Sequence, residues 1–349
     1  MYQPKFTITP KINSQIAEIE RLKFVVGQAA ILPELAVQLR FRATVEAVHS
    51  STSIEGNPLS ELQVRKMLQG KIITAPDYAI QEVLNYKRGL DWVGKKNRFK
   101  SDLTAEEILE LHKIVTDKLL PQEKSGSWRP GDVYVIDEIR GQEIIQYTGL
   151  EAKRVPGLVK SFLKWISVQL EESLHPVLAA GLAHFLFVSI HPFSDGNGRA
   201  TRLLTYYFLK KWGYDFRDSL SLDGYYLQNR QAYYDSLSLG ATFDDRIEAD
   251  LTPFLSFFVR GFLETATNLS QYIKLGKPIK NGGKPVRLDA DEMAILDYVY
   301  QFGSISIGEV IEILSLPKRT SQRRIMALVD KNVLRVVGKG PAVRYELKR

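Results

Sequence analysis

Apolar residues return every three or four positions along most of this chain, the spacing that lines one face of an α-helix. The chain therefore reads as helical nearly throughout. The pattern predicts a helix over residues 35–55, stopped by Gly56-Asn57-Pro58, where proline removes a donor and blocks a further turn. A second helix begins near Leu59, with Leu62, Met67 and Leu68 as apolar markers, and residues 80–93 form a third. Thr104-Ala105-Glu106-Glu107 is a capping box that opens a helix through Val115. Residues 156–170 and 176–190 follow, then 201–212, 224–237 and 252–276.

Two regions break the helical period. Val133-Tyr134-Val135-Ile136 and Glu143-Ile144-Ile145-Gln146-Tyr147 are β-prone and are separated by residues 137–142 with Gly141, which predicts a short hairpin. Residues 277–285, Lys-Pro-Ile-Lys-Asn-Gly-Gly-Lys-Pro, are a linker by composition. Beyond them Asp289-Ala290-Asp291-Glu292 opens a helix, a shorter one covers about 306–314, and a third covers 318–331. Two β-prone runs, 333–337 and 342–347, are joined by Gly338-Lys339-Gly340-Pro341. Three helices and a basic hairpin over residues 286–349 resemble a winged helix. Its third helix would carry Lys318, Arg319, Arg323 and Arg324 toward a DNA backbone. The plainer reading is a module that packs on the main domain or pairs with another copy, so a homodimer stays open.

Composition adds bounds. A length of 349 residues suggests two or three domains, and 44% hydrophobic with 25% charged residues is ordinary for a globular chain. The absence of cysteine excludes disulfides, cysteine metal sites and a thiol nucleophile, and fits a reducing, cytoplasmic setting. The start, Met1 to Phe6, lacks the apolar core of a signal peptide, and the longest apolar run, 177–190, is too short to span a bilayer, so no membrane partner is expected. Of the net charge of +7, residues 284–349 supply +4, from 12 Lys and Arg against 8 Asp and Glu, which makes the C-terminal piece the more basic per residue.

The candidate chemistry lies in residues 191–202, His-Pro-Phe-Ser-Asp-Gly-Asn-Gly-Arg-Ala-Thr-Arg. They read as a loop running into a helix N-terminus, where free N–H groups and the helix dipole favour an anion. Gly196 and Gly198 would let the backbone approach a phosphate, and Arg199 and Arg202, on one helix face, could both reach it. Asp195 is a hard oxygen ligand suited to Mg²⁺, and His191 titrates near neutrality. A base, a phosphate cradle and a metal ligand in one loop point to phosphoryl or nucleotidyl transfer. A P-loop is excluded, because no Gly-Lys-Ser/Thr follows the glycines.

This segment resembles the signature of the Fic (filamentation induced by cAMP) family, His-Pro-Phe-x-Asp/Glu-Gly-Asn-Gly-Arg-x-x-Arg, and every defining position is present. The resemblance, which spans roughly residues 30–275, implies transfer of AMP from ATP to a Tyr, Thr or Ser hydroxyl of a target protein. It makes His191 the base, Asp195 the Mg²⁺ ligand between the α- and β-phosphates, and Gly196, Asn197 and Gly198 the cradle. Arg199 and Arg202 would bind the β- and γ-phosphates. It also makes the hairpin a flap that pins the target by strand addition, rather than a surface excursion.

Ser51-Thr52-Ser53-Ile54-Glu55-Gly56 places a carboxylate in the last turn of a helix, where the dipole is unfavourable to it unless a cation answers. Ser51 lies one turn earlier on the same face. The segment resembles the family's inhibitory motif, Ser/Thr-x-x-x-Glu-Gly/Asn, which implies that Glu55 takes Arg202 away from the γ-phosphate. Residues 229–237 resemble the helix lining the family's adenosine pocket, with Tyr233 and Tyr234 toward the nucleotide, although paired tyrosines on a helix are more often core. Some relatives carry an asparagine just beyond, and here Ala241 falls near that place.

The resulting expectation is a mainly α chain. Residues 1–100 carry the inhibitory helix (about 35–56), and 101–276 form a Fic-type helical bundle with a flap at about 133–147. Residues 277–285 link it to a small winged-helix domain, 286–349. The expected function is a self-inhibited protein adenylyltransferase using ATP and Mg²⁺. The alternatives are removal of AMP by the same site, transfer of another phosphate-containing group, and a DNA-binding regulator with a vestigial Fic site.

Overall fold

The structure is a computed structural model and describes residues 2–29, 33–96, 102–139, 142–168, 174–275, 279–281, 284–286, 289–338, 340 and 343–348. It divides into two compact units, Met1–Phe24 with Ala43–Ala266, and Val25–Arg42 with Thr267–Arg349.

Helices α1 (Pro10–Gln28), α2 (Pro33–Ile54), α3 (Glu61–Leu68), α4 (Asp77–Lys96) and α5 (Ala105–Thr116) come first. A hairpin of β1 (Tyr134–Ile139) and β2 (Gln142–Thr148) follows, then α6 (Val155–Val168), α7 (Pro176–Ile190) and α8 (Asn197–Lys211). The short helices α9 (Asp223–Gln228), α10 (Arg230–Leu237) and α11 (Phe243–Glu248) lead to the long α12 (Thr252–Leu275). The capping box at Thr104 forms as expected, and Ser60 with Gln63 makes another at the start of α3.

The centre of the first unit is α7. From Val177 to Phe187 every residue is buried and all but His184 are apolar, the composition of a helix enclosed on all sides. Helices α6 and α8 pack on it, and α4 and α5 pack on α8. The hairpin register pairs Tyr134 with Thr148 and Val135 with Tyr147, with a bulge between Val135 and Ile136. Its expected turn at Gly141 lies outside the described residues.

Several element boundaries differ from the sequence pattern. Helix α1, for which the pattern gave no reading, buries Ile12, Ile19, Leu22 and Val26 along one stripe. Helix α8 starts at Asn197, four residues before the expected Thr201, because Gly196 at φ 78° caps it in the left-handed conformation. The single helix expected over 224–237 breaks at Asn229, whose side-chain amide donates to the Tyr225 carbonyl.

In the second unit, the described part of the expected linker forms a small antiparallel hairpin, β3 (Ile279–Asn281) with β4 (Lys284–Val286). Helices α13 (Ala290–Phe302), α14 (Ile307–Leu314) and α15 (Lys318–Asp330) follow, with β5 (Ser304–Ile305) between the first two. Strands β6 (Leu334–Val337) and β7 (Arg344–Leu347) complete a sheet of order β5-β7-β6. Val299, Ile305, Val310, Ile325, Leu328 and Leu334 form its core. Lys318, Arg319 and Arg323 are exposed, whereas Arg324 pairs with Asp289 at 2.7 Å and Asp291 at 3.0 Å.

Gly261 in α12 lies against the face of Tyr225 in α9, and a β-carbon there would collide with the ring. In an exposed helix Gly→Ala gains about 1 kcal/mol. Here Gly261→Ala is expected to lose about 1–3 kcal/mol by overpacking, read as a lower urea midpoint. A raised midpoint would show that α9 shifts without cost.

Candidate active site

The loop between α7 and α8 is six residues long, and each turn of it is held. His191 caps α7 at φ 49°, ψ 60°, with its N–H on the Phe187 carbonyl. A non-glycine residue in this region is uncommon and persists only where its surroundings fix it. Arg129 does so from the foot of the hairpin: its N–H donates to the Pro192 carbonyl at 2.9 Å and its Nε to the His191 carbonyl at 2.9 Å. Its remaining nitrogens donate to the carbonyls of Gly131 and Leu150, which tie both hairpin roots to the loop. Asn197 accepts from the Phe193 N–H and donates to the Phe193 carbonyl, closing the loop on itself. The Phe193 ring stacks on His112 with centroids 3.7 Å apart and on Trp128 at 5.4 Å. His112 accepts from the Gly126 N–H at Nδ1, so its Nε2 carries the proton and donates to the Asp195 carbonyl at 3.0 Å. Arg129 and His112 had no signal in the sequence, since both act from 60 residues or more away on backbone oxygens.

His191 is half-buried, and its Nδ1 lies 3.2 Å from the Val188 carbonyl. A carbonyl accepts only, so Nδ1 holds the proton and Nε2 keeps its lone pair. Burial lowers the pKa to about 4, helped by the cations Arg246 and Arg129 and opposed by that hydrogen bond and by Glu55. The imidazole is therefore neutral at pH 7, the form a general base needs. The Tyr147 ring of β2 stands 6.3 Å from it, and Arg246 of α11 lies over that ring at 3.7 Å.

The two motif arginines do not share a task. Arg199 turns to Glu82 of α4 at 2.7 Å and to Asp195 at 3.2 Å, and Glu82 also accepts from Asn57 at 2.7 Å. Asp195 accepts from the Gly196 N–H as well, yet its side chain stays 58% exposed. Arg202 is sealed at 2% exposure. Its Nε donates to Ser51 Oγ at 2.6 Å, and its Nη2 donates to the Ser51 carbonyl at 2.9 Å and to Glu55 Oε1 at 2.7 Å. Asp223 Oδ1 lies 3.4 Å from Nε. Glu55 thus reaches over the first turn of α8, where Gly198 leaves the room: a β-carbon there would collide with the Glu55 carboxylate.

Every motif residue from His191 to Arg202, with Ser51 and Glu55, falls in this one region. Tyr233 is buried, stacks on Tyr226 at 4.7 Å, and bonds His184 through its hydroxyl. Tyr234 is 40% exposed, with Arg230 over its ring. Among the described residues no three His, Cys, Asp or Glu side chains cluster as metal ligands, and no helix is long and apolar enough to cross a membrane.

Compared with known proteins, residues 102–209 match the model of the Fic/DOC family. A protein adenylyltransferase Fic from Drosophila willistoni is 30% identical over 342 residues, 87% of this chain and 62% of that protein. One from Drosophila melanogaster is 33% identical over 221 residues, 62% of this chain and 40% of that protein. The chain spans less than two thirds of the length of these curated relatives. A solved Fic family protein from Desulfovibrio desulfuricans G20 has a TM-score of 0.65 at 24% identity, covering 99% of this chain and 98% of that one, a likeness of fold.

Burial makes stability pH-dependent. His184 is lowered to about 3, and His112 and His191 to about 4. Unfolded histidines take protons below about 6.5, folded ones only near 4, so the unfolded state binds more protons in between and stability falls as pH falls. Asp223, pushed up to about 7 by burial, works in the opposite sense. Removing one buried histidine, as in His184→Gln, is expected to flatten the slope by about 1.4 kcal/mol per pH unit between pH 6 and 5, measured from urea midpoints. An unchanged slope would mean that His184 protonates freely in the folded chain.

Proposed function

This chain belongs to the Fic/DOC family, and on that premise we propose that it is a self-inhibited protein adenylyltransferase. The observation that carries the reading is the clasp of Ser51 and Glu55 on Arg202, beside a neutral histidine whose Nε2 is unprotonated.

The substrates are ATP and a hydroxyl-bearing protein docked along the hairpin. The target hydroxyl attacks the α-phosphorus, its proton passes to His191 Nε2, and the bond to the β-phosphate breaks to release diphosphate. The cradle is the N-terminus of α8, with backbone N–H groups of Asn197 and Gly198 toward the phosphates, while Gly196 turns the chain and its own N–H is held by Asp195. The Asn197 side chain is already spent on Phe193, which leaves it only its backbone for this role. Arg199, steadied by Glu82, meets the β-phosphate, and Arg202 meets the γ-phosphate once Glu55 leaves it. Tyr234, the exposed member of its pair, faces the adenosine, with Tyr233 behind it.

Asp195 fits a Mg²⁺ site, because its carboxylate is exposed and Mg²⁺ commonly takes one carboxylate with phosphates and waters. When bound, the ion neutralises charge on the departing diphosphate. The brake is electrostatic. Glu55 occupies the guanidinium and sets negative charge where the γ-phosphate belongs.

A second reading concerns residues 286–349 as a winged helix on DNA. Three exposed cations, Lys318, Arg319 and Arg323, open α15, while Arg324 is held by Asp289 and Asp291.

Label from α-labelled ATP should enter protein faster with Glu55→Gly than with the parent chain, most visibly by self-modification. Ser51→Ala should act in the same direction more weakly. Adding His191→Ala to Glu55→Gly should cut incorporation by about 10²–10⁴-fold. Equal incorporation by parent and Glu55→Gly would remove the brake, and signal surviving in the double variant would remove the base. For the second reading, duplex binding should weaken steeply with salt, and Lys318, Arg319 and Arg323 changed together to Ala should flatten that dependence by about 0.9 log units per lost phosphate contact. No gel shift at low salt would leave the module a packing or pairing role.

A further inference from the structure

Arg202 is answered by two carboxylates, and the brake uses only one. The other is Asp223, the first residue of α9. It is wholly buried, its Oδ1 accepts no hydrogen bond, and its donors are neutral: the Tyr86 hydroxyl, 3.5 Å from Oδ2, the Tyr206 hydroxyl and its own backbone N–H. A buried carboxylate answered by neutral donors alone is costly unless a cation stands beside it. Arg202 Nε, at 3.4 Å, is that cation.

The two carboxylates approach the guanidinium at different ends. Asp223 lies at Nε, on the sealed side, together with Ser51 Oγ. Glu55 lies at Nη2, and its side chain is 30% exposed. Only the second of these contacts can be exchanged for a ligand without opening the core.

We propose that Asp223 is a positioning residue for terminal-phosphate recognition: it holds the Nε end of Arg202 in the core, so that the Nη end alone changes partner, from Glu55 to the last phosphate of a nucleoside triphosphate. The proposal rests on the nucleotide reading above. Two consequences follow from charge and geometry. With Asp223 present, Arg202 stays compensated when Glu55 departs, so release of the brake does not strand a buried cation. The guanidinium is also already oriented when the triphosphate arrives, which spares the cost of ordering it then. A nucleotide without the third phosphate does not reach Nη and gains nothing from Asp223.

The test is calorimetric binding of ATP and of ADP, each with Mg²⁺, to the full chain at pH 8.5, where Asp223, pushed up to about 7 by burial, carries its charge. The parent is Glu55→Gly/His191→Ala, in which the brake is off and self-modification is blocked. Adding Asp223→Asn, which keeps the shape and removes the charge, is expected to raise the Kd for ATP about tenfold, the size of one charge-assisted contact, and to leave ADP within about twofold. The melting midpoints without nucleotide report that both variants are folded. Asp223→Ser removes the same charge with a smaller side chain and is read the same way where Asn does not fold. Equal losses for ATP and ADP would overturn the proposal, because a merely structural carboxylate moves both. No loss for either would overturn it as well. A parent that binds neither nucleotide would overturn the nucleotide reading first and this proposal with it. That outcome is distinct from a parent that binds both and is indifferent to Asp223.

Discussion

A guanidinium sealed in a protein interior has to be answered by an anion, and in this chain that constraint falls on Arg202. An unpaired charge at 2% exposure would carry a penalty of several kcal/mol even after relaxation. Arginine does not shed its proton to escape it. The second turn of α8, the last turn of α2 with Glu55 just beyond it, and the start of α9 are therefore brought together around one cation. On the proposed function, the identity of the anion at its outer end would distinguish a blocked from an open site. Regulation would then need no second domain and no large motion, only an exchange of one oxygen for another at Nη2.

Such an exchange is useful only if the surroundings stay put. The rigidity comes from α7, which is packed on every side, and from a loop that leaves it in a left-handed turn and is pinned at three places. Arg129 holds the first two residues by their carbonyls, Asn197 closes on Phe193, and His112 holds the Asp195 carbonyl. All three bonds end on backbone carbonyls and engage neither Nε2 of His191 nor the exposed carboxylate of Asp195. Arg129 also bonds the roots of the hairpin, which couples the place where a target strand would lie to the histidine that would accept its proton.

Much of this was legible in the sequence, and the reason is contiguity. Residues 191–202 carry the whole loop, so its signature survives without any knowledge of the fold. Ser51 and Glu55 were legible for the same reason, and the structure brings them onto Arg202 across 151 and 147 positions of chain. The helical pattern found most elements but misplaced starts where side chains overrule periodicity, at Gly196 and Asn229. The partners that complete the site were silent. Glu82, His112, Arg129 and Asp223 are single polar residues on otherwise ordinary segments, and nothing local distinguishes a buried carboxylate from a solvated one.

The division between the two arginines shows what spacing alone leaves open. Arg199 and Arg202 are three apart, and helical geometry alone allows both to converge on one phosphate group. Their neighbours decide otherwise. Arg199 meets Glu82, which Asn57 holds in turn, and Asn57 directly follows the Glu55-Gly56 pair. The segment that supplies the Glu55 carboxylate to Arg202 thus also orients the Glu82 carboxylate that meets Arg199. Asn57 is tied further to the Ala79 carbonyl and the Leu59 N–H. The end of α2 is therefore fastened just beyond Glu55. On the proposed function, a brake built in this way would turn on one carboxylate, while the other motif arginine, Arg199, and its struts Glu82 and Asn57 would keep the start of α8 in place.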